Sequence, residues 1–132
     1  MSKKIYLAIP FTGLEDLSFK CASEVAALLI KQEHYVFSPI SHFYPIQKTE
    51  LVEDNYGVWL RQDKIFVDWA DEIYLVSIMG EGFPMDGEEL IKNSNGCKVE
   101  INWAKEQNKP IKIVDYDFTH QVIYQIRDYD SN

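Results

Sequence analysis

The sequence predicts a three-layer α/β sandwich in which helices cover both faces of a sheet of four or five parallel strands. Short apolar runs rich in Ile, Val, Leu and Tyr alternate along the chain with segments whose apolar residues recur every three or four positions. This alternation is typical of parallel strands joined by crossover helices. With 132 residues, 46% of them hydrophobic, the chain is long enough for one core, and we expect a single domain over residues 1–132.

The first half of the chain is predicted to form two strands and two helices. Residues 3–9 are an apolar run closed by a proline, which indicates a buried parallel strand. Apolar residues then recur at helical spacing over 15–32, as on one face of a helix. We predict a second strand over 35–38, a loop over 40–54 and a second helix over 55–70, for which either residue of an Asp-Asn pair can serve as the N-cap.

The second half begins with a third strand over 72–78. Residues 79–95 are rich in glycine and acidic residues, and we predict a long irregular connection of the kind that often forms a lid or a binding loop. A helix is predicted over 96–107 and, after a proline, a fourth strand over 111–114. Apolar residues over 119–127 favour a closing amphipathic helix.

These elements predict a flavodoxin- or Rossmann-like topology with strand order 2-1-3-4. Helices cover both faces of a parallel sheet only if the winding reverses, and the reversal opens a crevice at the carboxyl ends of the strands, where ligands bind. The segments after the first and third strands open at this edge. We therefore expect a binding site there that includes the residues after the first strand, Pro10, Phe11, Thr12 and Gly13.

Composition argues against several functional classes. The chain has 21 acidic and 13 basic residues, and its net charge of -8 argues against a nucleic-acid polymer as partner, because such binding requires clustered Lys and Arg. Cys21 and Cys97 lack CxxC spacing, and the sequence has no metal-binding histidine pattern, so we predict no metal. No GxGxxG or Walker A sequence is present, and no cofactor is predicted.

The chain is also expected to be cytoplasmic and without a membrane partner. No apolar stretch approaches the roughly 20 residues that a membrane span requires. The N-terminal apolar run stops at a proline and leads into a polar segment, whereas a signal peptide would have a longer apolar region and a small-residue cleavage site.

Two acidic residues lie on the apolar faces of predicted helices. Glu100 has Ile101 and Ala104 beside it, so it should be held against the sheet, although a favourable interaction with the helix dipole would also explain its position. Asp63 shares a helix face with Trp59 and must be paired, hydrogen-bonded or partly protonated if it is buried. The alternative for Asp63 is a salt bridge or a position at the rim, involving Arg61 or Lys64.

The segment before the helix predicted over 96–107 could bind an anion. Its free backbone N–H groups and the Ser94 hydroxyl could surround a phosphate, or Ser94 or Asn95 could simply cap the helix. The chain has three histidines, His34, His42 and His120, and none has a recognisable nucleophile and orienting acid, so no Ser-His-Asp or Cys-His site is predicted.

Several segments of the chain together resemble a known family: IYLAIPF, VFSPISHFYPI, WLRQD, WADEIYLV and SNGCKVEINWA. They are similar to small bacterial and phage proteins with a domain of unknown function, DUF1937, in the nucleoside 2-deoxyribosyltransferase-like superfamily. The resemblance covers residues 4–114. It implies cleavage or transfer at the N-glycosidic bond of a nucleoside or nucleoside 5′-monophosphate, and a homodimer or larger homo-oligomer.

The resemblance also assigns roles to individual residues. The superfamily signature S/D-x-G-x-x-x-E matches Ser94, Gly96 and Glu100, which implies that Glu100 is the nucleophile. The resemblance implies that Asp63 acts near the leaving base, with Asp71 as a second member of that motif, and that Tyr6 positions the nucleophile. Further candidates for substrate binding are Ser38, His42 and Trp59, and Trp59, Phe11 and Tyr6 could stack on the base or belong to the core.

The same resemblance bears on the substrate. In this respect the chain resembles relatives that hydrolyse deoxynucleoside 5′-monophosphates, which also have serine at the position of Ser94. A hydroxyl can donate a hydrogen bond to a phosphate, so this serine favours a nucleotide as the substrate. The first loop lacks the basic residue that those hydrolases share, which argues against binding of a phosphate. Residues 79–93 are longer than in the family, which suggests an extra lid or an altered pocket. The competing hypothesis is a module that binds a nucleotide or a nucleotide-derived signal without cleaving it.

Overall fold

Four apolar runs of the sequence form the parallel strands of a central sheet. In a computed structural model, which describes residues 2–129, they are β1 (Lys4–Ala8), β2 (Tyr35–Phe37), β3 (Glu72–Met79) and β4 (Ile111–Asp117). A further strand, β5 (Val122–Asp128), runs antiparallel to β4. The order is β2-β1-β3-β4-β5, so the predicted α/β class and the order 2-1-3-4 are confirmed, with the fifth strand antiparallel.

In this described part of the chain, five helices surround the sheet. They are α1 (Glu15–Lys31), α2 (Pro39–Gln47), α3 (Tyr56–Trp69), α4 (Gly87–Asn93) and α5 (Asn95–Glu106). The apolar face of α1 packs on one side of the sheet, while α3 and α5 pack on the other side. The helices predicted over 15–32, 55–70 and 96–107 are confirmed to within one or two residues.

The alternation of side chains along β1 divides its residues between these two layers. Ile5 and Leu7 face the layer of α1, whereas Tyr6 and Ala8 face the layer of α3 and α5. Successive side chains of a strand point to opposite faces of the sheet, so this division follows from strand geometry. It directs the Tyr6 hydroxyl toward the two helices that carry the candidate acidic residues.

The prediction of a loop over 40–54 is wrong in its first part, which forms α2. Ser38 caps this helix by accepting a hydrogen bond from the Ser41 N–H at 3.3 Å, and Pro39 occupies the first turn. Proline is favourable at that position because the N–H it lacks would have no partner in the helix. Pro45 lies late in α2, where its missing N–H removes a single hydrogen bond.

The segment predicted as irregular, residues 79–95, contains α4. Asp86 caps the helix with hydrogen bonds from the Glu88 and Glu89 N–H groups at 2.9 and 3.4 Å. The helix packs on β3, and a Cβ atom at Gly87 would lie 2.5 Å from Ser77 Oγ. The expectation of a lid over the cavity described below is not met, because none of residues 79–93 lines it; Ile91 of α4 packs in the core with α3 and α5 instead.

The prediction of a closing helix over 119–127, which included His120, is wrong. Residues 122–128 form β5, and the turn before it places Gln121 at a positive φ of 56°. Arg127 of β5 donates to the carboxylate of Asp115 on β4 at 2.8 Å, and Gln125 donates to the same group at 2.9 Å. These contacts across the hairpin favour the strand, because a helix would direct the two side chains away from Asp115.

Candidate active site

A cavity of about 630 Å³ lies at the carboxyl ends of β1 and β2, between α2, α3 and the start of α5. This is the edge at which the sequence predicts a ligand site. Its lining combines aromatic and acidic side chains and comprises Ile9, Phe11, Thr12, Glu15, Pro39, Ile40, Phe43, Tyr44, Gln47, Asp54, Tyr56, Trp59, Leu60, Asp63, Ser94, Gly96 and Glu100.

Glu100 lies on the buried face of α5. That face is formed by residues three or four positions apart, including Cys97, Ile101 and Ala104, and only 6% of Glu100 is exposed. The Tyr6 hydroxyl donates a hydrogen bond to Oε2 of Glu100. Burial, with a further contribution from the charge of Asp63, raises the pKa of Glu100 from 4.5 to about 8, although the bond from Tyr6 opposes this shift.

Asp63 reaches the cavity from α3. Its Oδ1 atom is buried and has no hydrogen-bond partner among the described residues. Burial raises the pKa of Asp63 from 3.8 to about 7, and the nearby Tyr6 hydroxyl partly offsets this effect. The alternative of a salt bridge is not supported, because the neighbouring Lys64 pairs with Asp68 at 2.9 Å instead.

Tyr6 interacts through its hydroxyl with both acidic groups. It is fully buried on β1, between Phe37 of β2 and Ile73 of β3. Burial and the two acidic neighbours raise the pKa of Tyr6 well above its ordinary value, so the phenol keeps its proton and acts as a donor. Tyr6 does not line the cavity, so it can orient Glu100 and is not available to stack on a ligand.

Asp63 and Glu100 therefore titrate as a coupled pair. The charge of Asp63 raises the cost of ionising Glu100, and two interacting groups lose their protons in steps that belong to the pair. With pKa values of about 7 and about 8, the pair keeps a proton near neutral pH. An acid and a carboxylate facing one cavity can serve as a proton donor and a nucleophile.

An aromatic wall forms much of the rest of the cavity. Trp59 is held by its indole N–H, which donates to Asp54 Oδ1 at 3.3 Å, and Gln47 Nε2 donates to the same oxygen at 3.0 Å. The ring of Trp59 lies 5.6 Å from that of Phe43. The aromatic residues of the wall are Phe11, Phe43, Tyr44, Tyr56 and Trp59. Such surfaces can stack on a flat heterocycle.

Some of the site residues predicted from the sequence line the cavity, and others do not. The cavity is lined by Phe11, Thr12, Trp59, Asp63, Ser94, Gly96 and Glu100. Ser94 also caps α5 by accepting from the Cys97 N–H at 3.2 Å, so the capping alternative is correct, and the residue lines the cavity as well.

Two candidates in the first loop do not line the cavity. The carbonyl of Pro10 accepts a hydrogen bond from the Ser18 hydroxyl at 2.5 Å, and the N–H of Gly13 donates to Glu15 Oε2 at 2.7 Å. Both backbone groups are therefore occupied within the protein. Gly13 has a φ of +83°, which explains glycine at this turn.

Three other candidates lie away from the cavity for local reasons. Ser38 is occupied in capping α2, and His42 is exposed with its ring 4.8 Å from that of Phe43. Asp71, the second aspartate suggested by the resemblance, accepts a hydrogen bond from the Lys4 N–H at 3.0 Å, at the opposite end of β1. We do not include these residues in the site.

Several lining residues were not predicted. Tyr56 and Leu60 share a face of α3 with Asp63 at spacings of three and four, so helical periodicity could have found them. Tyr44 belongs to α2, and no signal for it existed while that segment was predicted as a loop. Glu15 faces the cavity because of its bond to Gly13, a contact that the sequence does not reveal.

The chain is similar to known proteins in sequence and in fold. A family model described as Domain of unknown function (DUF1937) matches residues 3–116. The chain belongs to the DUF1937 family. The matched part of the DUF1937 domain contains β1 to β3, nearly all of β4 and the side chains of Tyr6, Asp63 and Glu100, whereas β5 lies outside it. No curated protein is found to match the sequence.

The fold of this DUF1937 protein is that of the nucleoside deoxyribosyltransferase-like superfamily. A similar solved structure is the 2-deoxyribosyltransferase of the psychrotolerant bacterium Bacillus psychrosaccharolyticus, characterised as a biocatalyst for the industrial synthesis of antiviral and antitumoral nucleosides. The two share 25% sequence identity and a TM-score of 0.54, with 91% of this chain and 76% of that chain covered.

Two further observations concern metal binding and membrane spans in the DUF1937 protein. Within residues 2–129, no group of three or more His, Cys, Asp or Glu side chains is arranged to hold a metal ion. In the same range, every helix is too short or too polar to cross a bilayer.

Proposed function

We propose that this DUF1937 protein cleaves or transfers the N-glycosidic bond of a nucleoside or nucleoside 5′-monophosphate, with Glu100 as the nucleophile. The proposal depends above all on one observation: Glu100 and Asp63 face one cavity, and the Tyr6 hydroxyl donates to Glu100. The structural similarity to a 2-deoxyribosyltransferase supports a nucleoside as the substrate class.

In the first step, a carboxylate oxygen of Glu100 attacks C1′ of the sugar. The C1′–N bond breaks, its electron pair goes to the base, and Asp63 donates a proton to the base. The product is a glycosyl ester on Glu100, as in retaining glycoside chemistry. Because Tyr6 engages Oε2, the other oxygen, Oε1, is available for attack.

In the second step, water or a second base attacks C1′ and transfers a proton to the Asp63 carboxylate. The ester C1′–O bond breaks, and its electron pair returns to Glu100. One carboxyl group thus serves as acid and then as base, while the other is the nucleophile.

The raised pKa values suit these roles. A general acid must hold its proton near neutral pH, which an ordinary aspartate does not do, and burial of Asp63 provides this property. The nucleophile must be ionised, and the hydrogen bond from Tyr6 favours the charged form of Glu100. The pKa of Glu100, about 8, lies above that of Asp63, about 7, so in the free protein the shared proton lies mainly on Glu100, and the mechanism requires it to move to Asp63 when the substrate binds.

The test is release of free base. The protein is incubated with a panel of 2′-deoxynucleosides and their 5′-monophosphates, and the products are separated by chromatography. Glu100→Gln keeps the shape of the side chain but removes the nucleophile, so we expect activity to fall by about a thousandfold or more. The matched control is Glu106→Gln, which neutralises an exposed carboxylate of the same helix and should leave the rate unchanged.

Two outcomes would contradict the proposal in different ways. Turnover by Glu100→Gln at the parental rate would show that Glu100 is not the nucleophile. A nucleoside or nucleotide that binds and is recovered intact after long incubation would favour the non-catalytic module. If cleavage occurs, a second free base added to the reaction separates transfer from hydrolysis, because only transfer yields the new nucleoside.

A further inference from the structure

Within residues 2–129, the walls of the cavity carry acidic side chains and no basic ones. Glu15, Asp54, Asp63 and Glu100 line it, and no Lys, Arg or His belongs to its described lining. Two of these four residues are used by the proposed chemistry. The other two, Glu15 and Asp54, have no role in bond cleavage and form part of the surface that receives the remainder of the substrate.

Both of these additional carboxylates are held in place by hydrogen bonds. Glu15 Oε2 accepts from the Gly13 N–H at 2.7 Å, which fixes the side chain over the loop that follows β1. Asp54 Oδ1 accepts from Gln47 at 3.0 Å and from the indole of Trp59 at 3.3 Å. In each case the bonds engage one oxygen and leave the second free to accept from a ligand.

Among the residues that the structure describes, no cation at the cavity surface compensates for these groups. Lys48 lies against a lining residue, with its ammonium 4.8 Å from the centre of the Tyr44 ring, but it is exposed and does not line the cavity. The remaining donors of the lining include the hydroxyls of Thr12, Tyr56 and Ser94 and the backbone at the start of α5. These donors can bind a neutral hydroxyl or carbonyl oxygen as well as a phosphate.

We infer that the substrate is an uncharged nucleoside with a free 5′-hydroxyl and that the site rejects nucleoside 5′-monophosphates. This inference rests on the proposed function and narrows its substrate class. A phosphomonoester carries a charge of about −1.5 to −2 at neutral pH. Without a basic partner, it would lose its hydration shell beside carboxylates of the same sign, whereas a hydroxyl could donate to Glu15 or Asp54.

The experiment compares matched substrates. The specificity constant kcat/KM is measured for 2′-deoxyadenosine against its 5′-monophosphate and for 2′-deoxycytidine against its 5′-monophosphate. We expect the nucleoside to be preferred by about tenfold or more. Glu15→Lys should reduce this preference by about tenfold, and Glu15→Gln by less, because a lysine at this position attracts the phosphate whereas a glutamine only removes a repulsion.

Two control variants separate local from general effects. Glu106→Lys makes the same change in net charge on an exposed position of α5 and should leave the preference unchanged. Lys48→Gln should also leave it unchanged, which would show that Lys48 does not act on the phosphate. Circular dichroism confirms that each variant is folded.

A binding measurement distinguishes failure of this inference from failure of the proposed function. Dissociation constants for the same four compounds are measured by calorimetry on the parent and on Glu100→Gln. Equal or better use and binding of the monophosphates would overturn the inference while leaving bond cleavage intact. Tighter binding of nucleosides without release of base would contradict the proposed function and support the inference. An equal effect of Glu106→Lys and Glu15→Lys, or no binding of any compound, would overturn the inference.

Discussion

At the scale of single residues, the coupled carboxyl groups predict a bell-shaped dependence of kcat/KM on pH. At low pH both groups are protonated and the nucleophile is lost, whereas at high pH neither holds the proton that the leaving base requires. With pKa values of about 7 for Asp63 and about 8 for Glu100, we expect the maximum between about pH 7 and 8.

Tyr6 should determine the position of this profile. Its hydroxyl lowers the pKa of both carboxyl groups, so Tyr6→Phe should raise both values and move the whole profile toward higher pH. The variant would then lose more activity at pH 6 than at pH 9. Tyr124→Phe removes the hydroxyl of a tyrosine that is 63% exposed on β5 and serves as the control. An unchanged profile for Tyr6→Phe would mean that the phenol only fills space.

The role of Asp63 can be tested with a substrate that does not need an acid. A purine nucleoside methylated at N7 already carries a positive charge, so its base leaves as a neutral molecule without protonation. Asp63→Asn should lower the rate with an ordinary nucleoside by about a hundredfold or more, but by less than about tenfold with the N7-methylated one. Asp68→Asn, on an exposed position of α3, should affect neither. Equal losses with both substrates would exclude Asp63 as the acid.

Single residues of the site could be predicted from the sequence to different degrees. A carboxylate on an apolar helix face is visible from spacing alone, and both Asp63 and Glu100 were identified in this way and line the cavity. The roles of Ser38 and Pro10 were not evident, because a residue beside a crevice can direct its polar groups into capping or loop contacts. Spacing does not contain that information.

At the scale of elements, the close contact between α4 and β3 predicts that a side chain at Gly87 lowers stability. The Cβ of Gly87→Ala would lie 2.5 Å from Ser77 Oγ and 2.6 Å from the backbone N and O of Ile78, so the helix would have to move away from the strand. We expect a loss of about 1–3 kcal/mol in the free energy of unfolding, measured with urea. Activity should persist in the folded fraction, because α4 does not line the cavity.

Gly96→Ala is the matched control for this prediction. The new Cβ would contact only Ser94 Oγ, at 3.9 Å, and alanine in a helix is more stable than glycine by up to about 1 kcal/mol. Its stability should therefore be equal to or higher than that of the parent. Equal stability of Gly87→Ala and Gly96→Ala would show that α4 is not tightly packed on β3.

Elements whose secondary structure is determined by local sequence patterns could be predicted. Elements whose secondary structure depends on contacts distant in the sequence could not. The first four strands and the helices α1, α3 and α5 follow from periodicity and caps, such as Asn55, which accepts from the Gly57 N–H at 2.8 Å. The segment 122–128 has apolar residues at spacings that fit either a helix or a strand. The hydrogen bond from Arg127 to Asp115 favours the strand over the helix. This contact joins residues on two different strands, so patterns within the segment do not reveal it.

At the scale of the whole molecule, the topology explains why two distant acidic residues meet. Right-handed crossovers place α3 and α5 on the same face of the sheet, and Tyr6 on β1 faces that layer. Alternation of strands and helices predicted the parallel order. It did not predict which helices share a face or how large a hollow they leave, because both depend on side-chain packing between layers.

Burial of the carboxyl groups of Asp63 and Glu100 should make the stability of the whole protein depend on pH. In the native protein the pKa of Glu100 is about 8 and that of Asp63 about 7, against ordinary values of 4.5 and 3.8. The native state therefore holds protons that the unfolded chain releases, so the free energy of unfolding should fall as pH rises from about 4 to 8. Glu100→Gln removes one of these titrations, and its melting temperature should exceed that of the parent by about 4 °C or more at pH 8.

The difference should nearly vanish at pH 4, where Glu100 is neutral in the native protein and largely protonated in the unfolded chain. Calorimetry at a series of pH values measures it, with Glu106→Gln as the exposed control from the same helix. A gain in melting temperature that is the same at pH 4 and pH 8 would mean that Glu100 is not held protonated by burial. The pH dependence expected for catalysis would then lose its physical basis as well, because both depend on the same buried carboxyl group.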